Sequence, residues 1–272
     1  MEIGVSTASL FVRKTTEDAL AYLCEKNIPV TEVFLSTYRE YNGAFGKVLR
    51  SRMSGSTKVH SVHTLTTQFE PQLYSVNPRA ADDSFEILDG VLAAAREIGA
   101  KYYTFHGVAR LKNTPLRIDY DKVGAVTGKI AERCKTYGVT LCYENVHWCY
   151  YNYKGFFSAV KERCPELKGV LDVKQARQSG VFYGDYIDDM RGDIVTVHLS
   201  DIDENGRMCL PGKGTFGFEE LFKRLKDVGF DGAMLVEAIS AITATKRSLP
   251  KAWNTSRRWR KKYSESGARL SC

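Results

Sequence analysis

One repeated pattern constrains this 272-residue chain more than any other: an amphipathic helical stretch, a glycine, then a short apolar run that ends on polar residues. FEILDGVLAAAREIGAKYYTFHG (85–107) shows it, with Phe85, Leu88, Val91 and Leu92 at helical spacing, Gly99 where a C-terminal cap would lie, and a strand running to His106. VGAVTGKIAERCKTYGVTLCYEN (123–145) repeats it with Gly138 and Glu144, and FEELFKRLKDVGFDGAMLVEA (218–238) does so with Gly229 and Glu237. Near the start, TTEDALAYLCEKNIPVTEVFLSTYREY (15–41) opens on a Thr/Asp helix start and reaches the strand TEVFL.

Further β-rich runs lie between these units: EIGVS, KVHSVH, KGVLDV and DIVTVHLSD. Together they make eight strands alternating with helices, which predicts a single α/β domain over residues 1–240 built as a (β/α)8 TIM barrel. A doubly wound sheet would carry a glycine-rich phosphate turn after its first strand, and neither G-x-G-x-x-G nor G-x-x-x-x-G-K-[ST] occurs.

In such a barrel the C-terminal strand ends share one mouth. The residues at those ends are His63, His106, Glu144, Asp172, His198 and Glu237. Glu144, Asp172, His198 and Glu237 follow four successive apolar runs, and three carboxylates converging in one mouth would repel each other without a cation. They therefore predict a site for one divalent metal ion. Oxygen-rich ligation with one histidine suits Mn, Mg, Co, Fe or Zn without choosing among them. His63 and His106 are expected to line the pocket, whereas His60, alternating with His63, should face the barrel wall or interior.

The net charge of +7 invites a nucleic-acid reading, but its placement opposes one. Residues 241–272 hold nine Lys or Arg against Glu265 alone, which leaves 30 basic and 31 acidic residues in the rest. A near-neutral body lacks the basic face that several phosphate contacts need. The seven cysteines are scattered and never spaced C-x-x-C, as expected of buried thiols in a reducing compartment. No basic segment followed by a long apolar run opens the chain, so a soluble, cytoplasmic protein is expected.

EVFLSTYREY, SVHTLTTQFEP, FHG, CYENVHW, LDVKQARQSG, VHLSDIDENGRMCLPGKG and LVEA together resemble the xylose isomerase-like barrel superfamily, which holds sugar-phosphate isomerases and epimerases, inosose dehydratases and the endonuclease IV branch. The resemblance implies a metal held by Glu144, Asp172, His198 and Glu237. It also implies that Glu144 and Glu237 act as an acid–base pair on opposite sides of a substrate carbon, isomerising or epimerising a small sugar, polyol-derived ketone or sugar phosphate through a cis-enediolate. Asn145, Lys174, Gln175 and Trp148, with His63 and His106, are the expected substrate contacts. Tyr150 is a second candidate wall, Lys213 a weaker candidate for meeting a phosphate, and His147 a loop residue near the mouth.

Two departures bear on substrate. The epimerase pattern D-x-x-H after the sixth strand reads DVKQ here, placing Gln175 where a histidine is usual, and the arginine that follows the seventh-strand histidine in many epimerases is out of register beside Glu204 and Arg207. Endonuclease IV would need that histidine and a D-x-H pair in the next loop for its three-zinc cluster, and only one metal site looks complete from the sequence. The rival readings are thus a metal-dependent dehydratase acting on a cyclic polyol ketone, a non-catalytic sugar-binding barrel, and, more remotely, a DNA repair nuclease. No nucleic acid or membrane partner is expected, and a homo-oligomer is compatible with the sequence. The basic stretch 241–272 lacks an apolar stripe and reads as an atypical tail, such as a shifted reading frame would produce.

Overall fold

The computed structural model describes residues 1–11, 13–64, 69–110 and 117–238. The atypical tail predicted for residues 241–272 lies outside them. Eight parallel strands close into a barrel: β1 (Glu2–Ser6), β2 (Val30–Leu35), β3 (Lys58–Thr64), β4 (Tyr102–Phe105), β5 (Thr140–Glu144), β6 (Lys168–Asp172), β7 (Ile194–Leu199) and β10 (Ala233–Val236), which pairs back with β1. All eight predicted strands are present, and the fold is a (β/α)8 barrel. An antiparallel pair, β8 (Asp201–Ile202) with β9 (Met208–Cys209), was not foreseen and forms in the loop after β7.

Among the described residues, eight α-helices surround the barrel: α1 (Thr16–Glu25), α2 (Gly43–Arg52), α3 (Pro78–Glu97), α4 (Tyr120–Thr136), α5 (Phe156–Lys161), α6 (Val173–Gln178), α7 (Tyr183–Asp189) and α8 (Phe218–Asp227). Local chemistry sets their ends. Asn77 caps α3 by accepting from Arg79 N–H with Pro78 at the first helical position, and Asp119 caps α4 through Lys122 N–H at 3.0 Å. Gly99, Gly138 and Gly229 close α3, α4 and α8 at φ of 72°, 74° and 72°, a left-handed conformation that a side chain would strain. Helix α3 turns Leu88, Val91, Leu92 and Ala95 onto the barrel wall, all fully buried. Leu88→Ala there would cost roughly 2 to 5 kcal/mol.

Register explains why the strand ends meet. Asp172 on β6 pairs directly with His198 on β7. Glu144 pairs with Val170, two residues before Asp172, while Leu235 pairs with His198, two residues before Glu237. The stagger of a tilted barrel therefore carries all four groups to one level. Between β2 and β3 the pairing slips by one at Thr31/Glu32, passing over residue 60. His60 sits at that irregularity and reaches across the barrel interior to Thr196 Oγ1, 2.9 Å away on β7. The six described cysteines are free, five of them buried.

Candidate metal centre

Glu144, Asp172, His198 and Glu237 each offer a ligand atom within 4.8 Å of the other three, and all four side chains are buried. His198 Nδ1 lies 3.1 Å from Glu144 Oε1 and 2.8 Å from Glu237 Oε2. One imidazole nitrogen can give at most one proton, so it cannot satisfy both oxygens. The Glu237 Oε2 atom in fact has no aligned hydrogen-bond donor. Three buried carboxylates, an orphaned oxygen and a converging imidazole fit a divalent cation, whose charge would remove the repulsion.

The electrostatics agree. Burial pushes the Asp172 carboxyl up to about 6, although the Lys174 ammonium opposes it. Burial alone would lower the His198 imidazole, but Glu32, Glu237 and Glu144 outweigh it and raise that group well above its ordinary value.

A tier of buried side chains supports the cluster. Glu32, in the middle of β2, receives hydroxyl bonds from Ser6, Ser61 and Thr104 at 3.2, 2.8 and 2.7 Å. Its Oε1 lies 3.2 Å from His198 Nε2, close enough for an ion pair but off the line of the N–H. Glu70 accepts from Tyr103 Oη at 2.7 Å and from the main-chain N–H groups of His106 and Gly107, fixing the turn that presents His106. Neither carboxylate was identified from the sequence. Glu32 had one available signal: a charge inside an apolar parallel strand, where a carboxylate is costly unless partnered.

The candidate substrate contacts divide. His63 donates from Nδ1 to the Thr104 carbonyl at 3.0 Å, leaving Nε2 as a lone pair 3.7 Å from Glu144 Oε2. His106 Nε2 meets that same oxygen at 2.9 Å, and the Trp148 ring stands perpendicular to the His106 ring at 5.3 Å. His63, His106 and Glu144 form a second group of potential ligands, sharing Glu144 with the first, which the sequence reading of one site did not anticipate. Asn145 is committed elsewhere. Its Nδ2 donates to the Asp172 carbonyl at 2.9 Å and its Oδ1 accepts from Asp172 N–H at 2.8 Å, so it clamps the end of β6 that carries Asp172.

Lys174 places its ammonium 3.8 Å from Asp172 Oδ2, and Asp172 holds it above its ordinary pKa against the effect of burial. Gln175 caps onto Asp172 Oδ1 through its main-chain N–H at 2.8 Å, and its Oε1 is 2.6 Å from His147 Nδ1. Lys213 is exposed, in a loop whose main chain wraps a different anion: buried Asp201 accepts from Ile202, Gly212, Gly214 and Phe216 N–H at 2.8 to 3.0 Å.

The family model described as the xylose isomerase-like TIM barrel matches residues 24–263. The chain belongs to that family. No curated protein matches the sequence. Among solved structures it is similar to an L-ribulose 3-epimerase, with a TM-score of 0.73 and 20% identity over 100% of both chains. It is similar also to an IolI protein with a bound zinc atom, with a TM-score of 0.72 and 15% identity over 95% of this chain and 96% of that one. A third is the probable 3-DHS dehydratase AsbF of Bacillus anthracis, with a TM-score of 0.71 and 12% identity over 94% of this chain and 99% of that one. At these identities the likeness is one of fold. Within this xylose isomerase-like barrel, no helix among the described residues is long and apolar enough to cross a membrane.

Proposed function

We propose that this barrel is a metal-dependent isomerase or epimerase of a small sugar or sugar derivative. The observation that carries the reading is the convergence of Glu144 Oε1 and Glu237 Oε2 on a single nitrogen, His198 Nδ1, at 3.1 and 2.8 Å. Binding alone requires no such pair of bases. Glu144, Asp172, His198 and Glu237 would hold the ion, which would acidify the C–H beside a chelated carbonyl and stabilise the enediolate charge.

The chain's own groups would move the protons. One glutamate takes the proton from carbon, and the other, protonated, returns one to the opposite face. No proton is gained or lost overall, and the pair resets by exchange with water. His106, 2.9 Å from Glu144 Oε2, would tune that carboxylate, and with His63, whose Nε2 is 3.7 Å from the same oxygen, would meet a substrate oxygen. Burial of the cluster keeps bulk water from protonating the intermediate at random. The zinc-bound neighbour and the epimerase neighbour support this reading. The dehydratase neighbour supports the lyase alternative, in which the same base would form the same enolate and a hydroxyl would leave.

Product analysis separates the two. Metal-loaded protein incubated with a panel of ketoses, sugar phosphates and cyclic polyol ketones should yield an epimer or aldose–ketose pair, and a chelator should stop it. Loss of water from a cyclic ketone, with no isomer from any ketose, would replace this reading with the lyase.

A further inference from the structure

Two neighbouring side chains beyond β6, Lys174 and Gln175, have hydrogen-bonding groups for which proton transfer has no use. Gln175 Oε1 receives the His147 main-chain N–H at 3.3 Å as well as His147 Nδ1 at 2.6 Å. A main-chain N–H can only donate, so the amide atom facing it must be the oxygen, and the orientation of the amide is fixed. Gln175 is left with its NH2 group, two donors and no acceptor. The Lys174 ammonium, with three donors and no acceptor, stands 3.8 Å from Asp172 Oδ2. The Lys174 side chain is 16% exposed and Gln175 9%, at the edge of the buried cluster rather than in open solvent.

Both residues open α6 against Asp172, Lys174 through its ammonium and Gln175 through its main-chain N–H at 2.8 Å, so the spare donors carry one positive charge at that end of the cluster. Their complement is an oxygen group with lone pairs, a negative charge and no proton of its own. With one of the two glutamates protonated, as proton return requires, the remaining cluster carboxylates, Glu32, a divalent ion and the ammonium sum to no net formal charge, so an anionic group would not enter a negative site. A histidine at position 175 could accept or donate; Gln175, held by His147, only donates.

We propose that Lys174 and Gln175, locked by His147, form an anion subsite, so that the substrate carries a carboxylate or phosphate in addition to the groups that meet the metal. The inference rests on the metal-centre reading for where the substrate lies and narrows its class to sugar acids or sugar phosphates. Carboxylate and phosphate share the chemistry that these donors recognise, and they differ in size and charge.

The test is calorimetric binding to the full chain at saturating metal ion, using three probes with one four-carbon backbone: erythritol, D-erythronate and erythritol 4-phosphate. At least one anionic probe should bind about tenfold or more tightly than erythritol. The stronger of the two names the source of the charge. Lys174→Met should bring the ratio close to one, and Gln175→Leu should reduce it in part. Equal binding of all three probes, or a preference surviving in both variants, would overturn the subsite, because the metal ion alone would then explain it. Turnover is not needed, so the outcome is separate from that of the isomerase reading: proton exchange on a ketose beside equal binding of the three probes keeps that reading and sinks the subsite.

Discussion

Glu32 and His198 meet at 3.2 Å in the interior of the barrel, one wholly buried and the other 1% exposed. Three hydroxyls from three different strands hold the Glu32 carboxylate in place, so the contact is built rather than incidental. A carboxylate this close behind an imidazole raises the basicity that the ring would bring to a metal ion, even off the line of its N–H. Glu32→Gln should therefore weaken metal affinity about 10- to 100-fold while the barrel still folds. Metal titration beside a circular dichroism melt checks this, and an unchanged affinity would show that Glu32 serves only the interior packing.

Metal binding should depend on pH in a defined direction. His198 is raised well above its ordinary value and Asp172 is pushed up to about 6, and both must be deprotonated to serve as ligands. Affinity should rise with pH through the raised histidine value, with protons released on binding. Titrations in two buffers of different ionisation heat would count them. Without metal the sign reverses for stability: each shift favours the protonated folded state, so that contribution is present at low pH and is lost as pH rises through the folded values.

The strand ends were legible because parallel barrel strands are buried on both faces and read as apolar runs, against which a terminal Glu144, Asp172 or Glu237 stands out. That same double burial hid Glu32. With no alternation along VTEVFL, nothing distinguishes the side facing the barrel axis from the side facing the helices. His60 was expected at the barrel wall or interior without a choice between them, and the register slip beside it could not be read, since it depends on how β2 and β3 pair. Gln175 was seen as a departure, and its lock by His147 was not, because Gln175 lies in α6 after β6 and His147 in the loop after β5, and they meet only in the folded barrel.

Asp201 predicts a purely structural effect. Its carboxylate collects four main-chain N–H groups from residues 202 to 216, so Asp201→Ala would strand those donors. The cost should be about 3 kcal/mol, lowering the unfolding midpoint by several degrees in a thermal melt. Metal affinity measured below that midpoint should change little, and a large loss would tie the loop to the centre.

Glu237→Gln tests the base role apart from folding. The amide keeps the volume and loses the basicity, so turnover should fall about 100-fold or more while the melt stays close to that of the unaltered protein. A fall confined to KM, with kcat retained, would make Glu237 a binding group instead.

Solvent proton exchange bears most directly on the proposed chemistry. Metal-loaded protein, incubated in D2O with the ketoses and sugar phosphates of the panel and followed by NMR, should place deuterium on the carbon next to the carbonyl of at least one of them. Glu237→Gln or chelation should abolish that label. No deuterium in any of them, from protein shown to be folded and metal-loaded, would contradict proton transfer between Glu144 and Glu237 as the reaction of this barrel.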